Sequence, residues 1–581
     1  MIEGLTAINP GLILIVAGAL CALVPQVRVR QSIAIGAPIL AGILLGIAPH
    51  EIDLASLSTM GLDLVLYRVD NLNFIFGVAF LIAATLNGIY ALHQDDQVQD
   101  ASALIYAGAA VAATFVGDFL SLFIFWELTA ISSVFLILKS ETRAAYGAAM
   151  RYLAIQVLSG VLLLYGAAQL FAATGDITLR TLSLGADAGT WMLLIAFGIK
   201  AAFPLLHNWL QDAYPRATVV GAVVLSAFTT KLAVYVLARV FPGEPLLIWV
   251  GATMTVFPVF FAVIENDLRK VLAYSLNNQV GFMVCAIGVG SQLAMNGAAA
   301  HAFAHIIYKG LLFMSMGAVL YRTGTTKATE LGGLYRSMPW TALFCLIGAA
   351  SISAFPLFSG FVAKSLTMSA VLEAHYVVAW AMLLFASAGV LEHSGIKIPY
   401  FAFFGHDSGK YVEEAPFNML LAMGLAAFIC IAIGLPTFLG GGYGMLYAVL
   451  PYPDVALTYQ PYTLDHILTQ MQLLILAAFA FVLLKRFGLY PAEKPGTVLD
   501  ADWAYRRAGY GAARWSGAVW AKAGPAMTDV CRGLYQRAFD RIEAAFSPQG
   551  VLARGPLTGG MAVWSAALLG LVLLLSFIGA S

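Results

Sequence analysis

The 581-residue sequence has little charge and few cysteines. Charged residues make up 11% of the chain, and acidic and basic side chains balance at 31 each. Because a soluble domain carries about 25% charged residues, this composition excludes an ordinary soluble protein, and the zero net charge gives no indication of a nucleic-acid partner. The five cysteines are scattered, with no CxxC pair and no Cys/His cluster. They predict neither a disulfide framework nor a metal site.

Motifs of the common cofactor sites are also absent. The sequence has no P-loop, no GxGxxG after a strand, no haem or iron–sulfur ligand pattern and no nucleophile elbow. We therefore predict no cofactor and no metal bound by this chain, and the sequence leaves open whether it is part of an enzyme. Energy for any transport must then come from an ion gradient or from a partner protein.

Apolar residues dominate what is present. They form 61% of the chain, with a mean hydropathy of +0.85. Since a helix needs about 20 mostly apolar residues to cross a bilayer, the pattern predicts an all-α polytopic membrane protein with about 16 transmembrane helices. The predicted spans lie near residues 8–27, 31–49, 71–92, 101–117, 119–138, 147–173, 188–213, 217–240, 246–264, 271–290, 293–321, 340–372, 376–404, 416–439, 468–490 and 558–579.

Two of these spans are predicted to be broken. The seventh carries Pro204 and the twelfth carries Pro356. Proline removes an N–H donor and clashes with the preceding turn, and a break at membrane depth is tolerated where it faces protein or a wet cavity. A lysine lies near each break, which indicates an inverted repeat with ion sites at the interruptions.

The basic residues outside the spans predict the orientation. If the amino terminus is outside, only Arg68, Arg180 and Arg239 fall in outer loops before residue 490, while the others, including Arg151 and Lys397, fall in inner loops. This bias predicts both termini on the outer side. We divide the chain into a core (1–440), an outer loop with an extra span (441–490), an inner amphipathic surface helix or solvated connector (491–557) and a final anchor (558–581).

Five ionisable residues lie inside predicted spans: Glu127, Lys200, Lys231, Lys309 and Lys364. At about 3 kcal/mol each, their uncompensated insertion would cost about 15 kcal/mol. They are therefore expected to face protein, water or one another.

The spacing of these residues predicts a polar line across the bilayer. Glu127 and Lys200 can form a pair that opens and closes as a proton switch; the alternative is a static salt bridge between helices. His301, His305 and Lys309 are four residues apart and share a helix face, where the histidines can relay protons.

Six ordered stretches between about residues 65 and 435 carry a resemblance to a known family. They are DFLSLFIFWELTAISSVFLI, GIKAAFPLLHNWLQDAY, SAFTTKLAVYVLAR, NDLRKVLAYSLNNQVGFM, HAFAHIIYKGLLF and SISAFPLFSGFVAKS. They resemble the antiporter-like proton-conducting membrane subunits. That family includes large membrane-arm subunits of respiratory complex I, subunits of membrane-bound hydrogenases, and the A and D subunits of Mrp-type Na+/H+ antiporters. The segment ATVVGA (217–222) departs from it by lacking two prolines.

The resemblance implies a 14-helix antiporter-like core with two inverted five-helix repeats, which hold broken helices 7 and 12. It also implies proton translocation gated by the Glu127–Lys200 pair. The site residues it implies are Glu127, Lys200, Lys231, His301, His305, Lys309 and Lys364.

Within the family, the sequence is most similar to the D subunit of the Mrp type. The resemblance thus implies a proton-translocating subunit of a multi-subunit Na+/H+ antiporter in a bacterial inner membrane. Its expected partners are other membrane subunits, protons, and Na+ or K+. Two alternatives stay open: a proton-pumping membrane-arm subunit of a complex I-like or hydrogenase-type oxidoreductase, and the proton-conducting half of an inorganic-carbon uptake complex.

Overall fold

Most of the chain is helical, which confirms the predicted all-α membrane class. A computed structural model describes residues 7–59, 61–185, 187–437, 441–491, 498–546 and 563–572. Within those ranges, 11 helices are long and apolar enough to cross a membrane, and shorter apolar helices accompany them. The chain is therefore a multi-pass membrane protein.

The helices follow one another with short connections. The first seven are α1 (Pro10–Leu23), α2 (Val27–Gly46), α3 (Asn71–Ala91), α4 (Gln97–Phe115), α5 (Phe119–Leu138), α6 (Arg143–Thr174) and α7 (Ala188–Ala201). The next seven are α8 (Asn208–Ala213), α9 (Val219–Ala227), α10 (Thr229–Val240), α11 (Pro245–Ile264), α12 (Leu268–Val289), α13 (Gln292–Thr323) and α14 (Pro339–Ile352). The last are α15 (Ser359–Glu373), α16 (Val377–Phe404), α17 (Phe417–Ala432), α18 (Tyr443–Tyr447), α19 (Pro453–Thr458), α20 (Leu464–Arg486), α21 (Ala501–Phe546) and α22 (Val563–Val572).

The chain divides into two compact units, Met1–Asp500 and Ala501–Ser581. The second contains α21, a 46-residue helix with exposed side chains and Pro525 in its interior. This helix lies in the segment for which an amphipathic surface helix is predicted; its position on a membrane stays a prediction. Of the predicted final anchor, only α22 falls within the described residues, and 558–562 and 573–581 lie outside them.

Both predicted breaks are present, and the same four residues form each of them. Ala202–Phe203–Pro204–Leu205 separates α7 from α8, and Ala354–Phe355–Pro356–Leu357 separates α14 from α15. In both copies the alanine and the leucine have positive φ, at 62° and 70° in the first and 57° and 76° in the second. Since positive φ is uncommon for such residues, the shared conformation indicates that the two breaks are equivalent structural units.

Three local features differ from the predicted helices. An antiparallel hairpin, β1 (Ile52–Thr59) with β2 (Leu62–Val69), fills a segment predicted as a loop. The predicted eighth span is interrupted at Phe228, between α9 and α10. The predicted thirteenth span contains π-helical turns at Leu391–Ile396 and Tyr400–Phe404. Such turns are rare and frequently occur at functional sites.

Lys397 is the clearest error in the loop assignment. It lies inside α16 with 0% exposure, not in an inner loop. Its Nζ donates to the carbonyl oxygens of Val263 at 2.5 Å and Glu265 at 2.8 Å. These carbonyls belong to the last turn of α11 and the residue after it, where no intrahelical donor is available and a cation is favoured. A buried lysine at this position is therefore a helix cap.

The start of α5 is fixed by Asp118, which sets the position of the helix that carries Glu127. One carboxylate oxygen accepts the N–H of Ser121 at 2.7 Å and the other accepts the N–H of Val65 at 2.9 Å. The first bond is a helix N-cap. The second ties the cap to β2, so the hairpin and α5 are held in register.

Candidate functional site

Glu127 and Lys200 face each other without contact. Glu127 lies partly buried on α5, and its carboxylate lies against Gly160 of α6, where a methyl group would collide with it. Lys200 is 0% exposed in the last turn of α7. The two charges interact electrostatically, but no N–O distance between them is within 4.0 Å. The pair is therefore open in this structure.

The ammonium of Lys200 is held instead by neutral groups of α5. Its Nζ donates to the carbonyl oxygen of Trp126 at 2.5 Å and to Oγ1 of Thr129 at 2.7 Å. It also lies 4.3 Å from the centre of the Trp126 ring, which supplies a cation–π contact. Both acceptors flank Glu127 in the sequence, so Lys200 is bound to the helix that carries the acid rather than to the acid itself.

Lys231 depends on the interruption at Phe228. Its Nζ donates to the carbonyl oxygen of Ser226 at 2.5 Å, which a continuous helix would use internally. Next to it, Tyr106 Oη lies 2.6 Å from Thr229 Oγ1 and accepts the Thr229 N–H at 3.0 Å. The kink thus exposes a backbone carbonyl to a buried ammonium.

His301, His305 and Lys309 lie along α13 and are all buried. The Nε2 of His301 lies 3.1 Å from Gln279 Oε1 and 3.1 Å from Tyr308 Oη. The side-chain nitrogens of His305 and Lys309 make no hydrogen bond within the described ranges. Because buried polar groups normally have partners, these atoms suit an environment that holds water.

His305 lies among the predicted site residues of this region. The rings of His301 and His305 lie 6.4 Å apart, and Lys231, Lys309 and Lys364 are close enough to His305 to interact with it electrostatically. The structure therefore brings five of the predicted site residues into one group. Glu127 and Lys200 form a second group.

Lys364 lies after the second break and beside a cavity. Its Nζ donates to the carbonyl oxygen of Ile352 at 3.3 Å and to Ser387 Oγ at 3.4 Å. A cavity of about 160 Å³ adjoins it, with room for several water molecules. Its polar lining residues are Lys364, Ser365, Ser369, Asp465, His466, Thr469 and Gln470.

Sequence reasoning missed several buried polar residues near these groups. Gln279 binds both His301 and Tyr308, and the run of amides in LNNQ within an apolar span was the available signal. His393 is fully buried in the π-helical turn at Leu391–Ile396, close enough to Lys309 and Lys364 to interact with them electrostatically. No sequence pattern announces a π-helical turn, so His393 required the structure.

The side chains that meet at this site can exchange protons. Within the ranges that the structure describes, no group of three or more His, Cys, Asp or Glu side chains could hold a metal ion. The groups that do meet are lysines, histidines and hydroxyls, which are able to exchange protons.

Comparison with known proteins identifies the membrane region. Residues 116–390 match the family described as "NADH:quinone oxidoreductase/Mrp antiporter, TM". The matched region of this antiporter-like chain contains every candidate site residue named above.

A relative with a similar sequence is the D subunit of an Na(+)/H(+) antiporter of Alkalihalophilus pseudofirmus. It is 32% identical over 323 residues, which are 52% of this chain and 64% of the relative. The antiporter-like chain thus spans less than two thirds of that relative's length.

Two solved structures share the fold. A chain of the Mrp complex of Dietzia matches with a TM-score of 0.68 at 20% identity. The match covers 82% of this chain and 100% of the Dietzia chain. The membrane-bound sulfane sulfur reductase, an archaeal respiratory membrane complex, has a TM-score of 0.67 at 21% identity and covers 97% and 99%. These likenesses confirm the antiporter-like fold.

Proposed function

We propose that this chain is the proton-translocating subunit of a multi-subunit monovalent cation/proton antiporter. Protons would move along Glu127, Lys200, Lys231, the His301–His305–Lys309 line and Lys364. The sequence similarity to an Na+/H+ antiporter subunit supports this assignment over the other members of the family.

One observation carries the proposal. Lys200, Lys231, Lys309 and Lys364 are at most 3% exposed, and none of them forms an ion pair within 4.0 Å in the described ranges. Static salt bridges would neutralise such charges, and an isolated buried charge is costly. Four lysines held by neutral oxygens, or by none, fit groups that gain and lose protons.

The open Glu127–Lys200 pair supplies a gate. An ammonium next to a carboxylate is stabilised, whereas an ammonium in a dry site far from one is disfavoured. Movement of Lys200 from Trp126 and Thr129 to Glu127 would therefore stabilise its bound proton, and the reverse movement would favour release. The adjacent break in helix 7 allows α7 to make this small shift without moving α8.

Partner subunits fit the surface around Glu127. The Glu127 residue is only partly buried by its own chain, although its Oε1 is buried, and a charge exposed to lipid is expensive. A neighbouring membrane subunit would cover it and add charges that act on the gate. We place the assembly in the bacterial plasma membrane with both termini outside.

A second candidate is a membrane-arm subunit of a redox-driven proton pump. The respiratory sulfane sulfur reductase covers 97% of this chain, against 82% for the Mrp complex. In that case, a partner's redox chemistry would drive the same proton axis.

Everted membrane vesicles separate these candidates. A host without its own antiporters would express the chain with its gene neighbours, and respiration would build a pH gradient. We expect Na+ or K+ to collapse the gradient for the wild type and not for Glu127→Gln at equal assembly. Glu141→Gln is the matched control. Glu141 is an exposed acid that follows the helix carrying Glu127.

Each result has a clear consequence. Cation-dependent collapse in the wild type alone supports the antiporter and places Glu127 in its path. If no cation acts on assembled wild type, the antiporter assignment is wrong. Purified partners would then be tested for redox centres, or for a zinc site of the kind expected in carbon uptake.

A further inference from the structure

A buried cluster of polar side chains lies beyond the first break, apart from the groups described above. It joins His207, which directly precedes α8, to Tyr274 on α12 and to Asp500 near the end of the first unit. His207 Nε2 lies 3.1 Å from Asp500 Oδ2, and Tyr274 Oη donates to the same oxygen at 2.9 Å. Asp500 is 293 residues from His207 in the sequence, so the C-terminal segment completes this cluster.

The cluster is enclosed although it lies near the end of helix 7. The side chains of His207 and Asp500 are 2% and 5% exposed, while the Asp500 residue as a whole is partly exposed. The backbone of Asp500 therefore reaches the surface and its carboxylate points inwards. Phe257 packs 4.6 Å from the His207 ring, and Phe261 stacks on Tyr274 at 5.4 Å.

The two nitrogens of His207 face different surroundings. Nε2 lies 3.1 Å from Asp500 Oδ2 and 3.4 Å from Asn208 Nδ2, whereas Nδ1 is buried and has no hydrogen-bond partner in the described part of the chain. The next polar side chains, Asn208 and Gln211, are also buried and continue along α8. An imidazole can take a proton at one nitrogen and release one from the other. His207 can therefore take a proton from Asp500 at one nitrogen and release one from the other.

We propose that Asp500 and His207 form a proton-transfer couple at one end of the proposed proton pathway. This is the end on the same side of the membrane as Arg216. The proposal rests on the proposed function and names one of its terminal groups. The protonated carboxyl of Asp500 gives its proton to Nε2 of neutral His207, which leaves a carboxylate and an imidazolium. The imidazolium then gives its Nδ1 proton to a water molecule on its inner side, which leaves a neutral ring protonated at Nε2. The ring turns over so that an unprotonated nitrogen faces Asp500 again, and the Asp500 carboxylate takes a new proton from water. Charge and protons balance in each cycle, and the steps reverse for outward movement.

A purely structural clamp is the alternative explanation. The same contacts tie the break of helix 7 to α12 and to the segment before α21. A clamp requires only hydrogen bonds, which an amide also makes, whereas a proton couple requires a group that ionises. Asp500→Asn therefore separates the two explanations, because it keeps the size and a hydrogen-bonding oxygen.

The test measures cation-dependent collapse of the pH gradient in everted vesicles that carry the full assembled complex. We expect Asp500→Asn to lower the rate on the order of 100-fold, and Asp500→Glu to retain most of it. The solvent deuterium isotope effect on the remaining rate should rise in Asp500→Asn, since proton transfer becomes limiting.

Two controls define the outcomes. Asp502→Asn removes the same charge two residues later, where the acid pairs with Arg506 at 2.7 Å, and should leave the rate unchanged. If Asp500→Asn transports at the wild-type rate while Glu127→Gln is inactive, the couple is wrong and the proposed function stands. If the wild type shows no cation-dependent transport, both proposals are wrong. Should Asp500→Asn assemble poorly, His207→Gln at matched amounts replaces it, and an unchanged rate again overturns the couple.

Discussion

The two broken helices have the same backbone but hold their lysines in different ways. Both breaks use Ala–Phe–Pro–Leu with positive φ at the alanine and the leucine. In both breaks the phenylalanine N–H donates to the carbonyl oxygen five residues earlier. Phe203 donates to Gly198 at 2.9 Å, and Phe355 donates to Ala350 at 3.0 Å. Lys200 precedes its break, whereas Lys364 follows the other.

The partners of the two lysines differ accordingly. Lys200 makes bonds of 2.5 and 2.7 Å to α5, the helix that carries Glu127. Lys364 makes longer bonds of 3.3 and 3.4 Å and adjoins a cavity. No carboxylate forms an ion pair with it within the described residues. One break thus places a lysine against an acid-bearing helix, and the other places a lysine beside space for water.

From this difference we propose separate tasks for the two breaks. A lysine next to an acid can be switched by a small movement, so the first break suits a gate. A lysine beside a cavity large enough for water could exchange protons with it, so the second suits an opening of the path. Each of the following predictions tests this assignment.

The largest effect is expected from Lys200→Ala. This change removes the proton carrier of the gate and should lower cation-dependent proton transport on the order of 100-fold. Initial rates in everted vesicles, normalised to assembled complex, measure it. The control is Lys327→Ala, a surface lysine paired with Glu330 at 3.0 Å, which should transport normally. Normal transport by Lys200→Ala would mean that the first break is not a gate.

A smaller loss is expected from Gly160→Ala. The added methyl group would meet the Glu127 carboxylate and displace it, and a displacement of about 1 Å can cost one or two orders of magnitude in rate. We expect transport to fall roughly tenfold while assembly persists. Gly42→Ala, which has nothing within 4 Å of the added atom, is the matched control in another helix. Equal rates for both variants would show that the position of Glu127 is not critical.

Sequence patterns predicted the features that depend on local chemistry. Long apolar runs predicted the helices, and Pro204 and Pro356 predicted the two breaks, because proline cannot continue the hydrogen-bonding pattern of a helix. The insertion cost of charge singled out Lys200, Lys231, Lys309 and Lys364 before any contact was known. Their functional roles remain predictions.

Other features depend on contacts between distant segments, and the sequence did not predict them. The approach of Asp500 to His207 joins residues 293 positions apart. The burial of Lys397 depends on the carbonyls at the end of α11, so composition alone assigned it to a loop. The open Glu127–Lys200 pair is a matter of side-chain geometry, since the same residues are equally compatible with a closed salt bridge.

Thr129→Ala and Ser387→Ala compare the two breaks directly. Thr129 Oγ1 accepts from Lys200 at 2.7 Å, and Ser387 Oγ accepts from Lys364 at 3.4 Å. A hydrogen bond to a charged group is worth about 1.5–3 kcal/mol when short and weakens with distance. We expect Thr129→Ala to change the transport rate severalfold and Ser387→Ala to change it less than twofold. The reverse order, measured in the same vesicles, would contradict the contrast between a tightly held and a loosely held lysine.

The smallest effect is expected in the loop that precedes α7, outside both breaks. Asp176 accepts the Thr178 N–H at 2.9 Å and the Thr178 hydroxyl at 3.0 Å, and Arg180 lies beside it. The Thr178 N–H above all lowers the pKa of this carboxyl below its usual value. Since the folded pKa is depressed, the stabilisation is present above the ordinary pKa of about 3.9 and is lost as the pH falls through the folded value. Asp176→Ala should therefore lower Tm at pH 7 by about 1 °C, a difference that shrinks in acid, and leave transport unchanged. Loss of transport in this variant would mean that the residues needed for gating include the loop before α7.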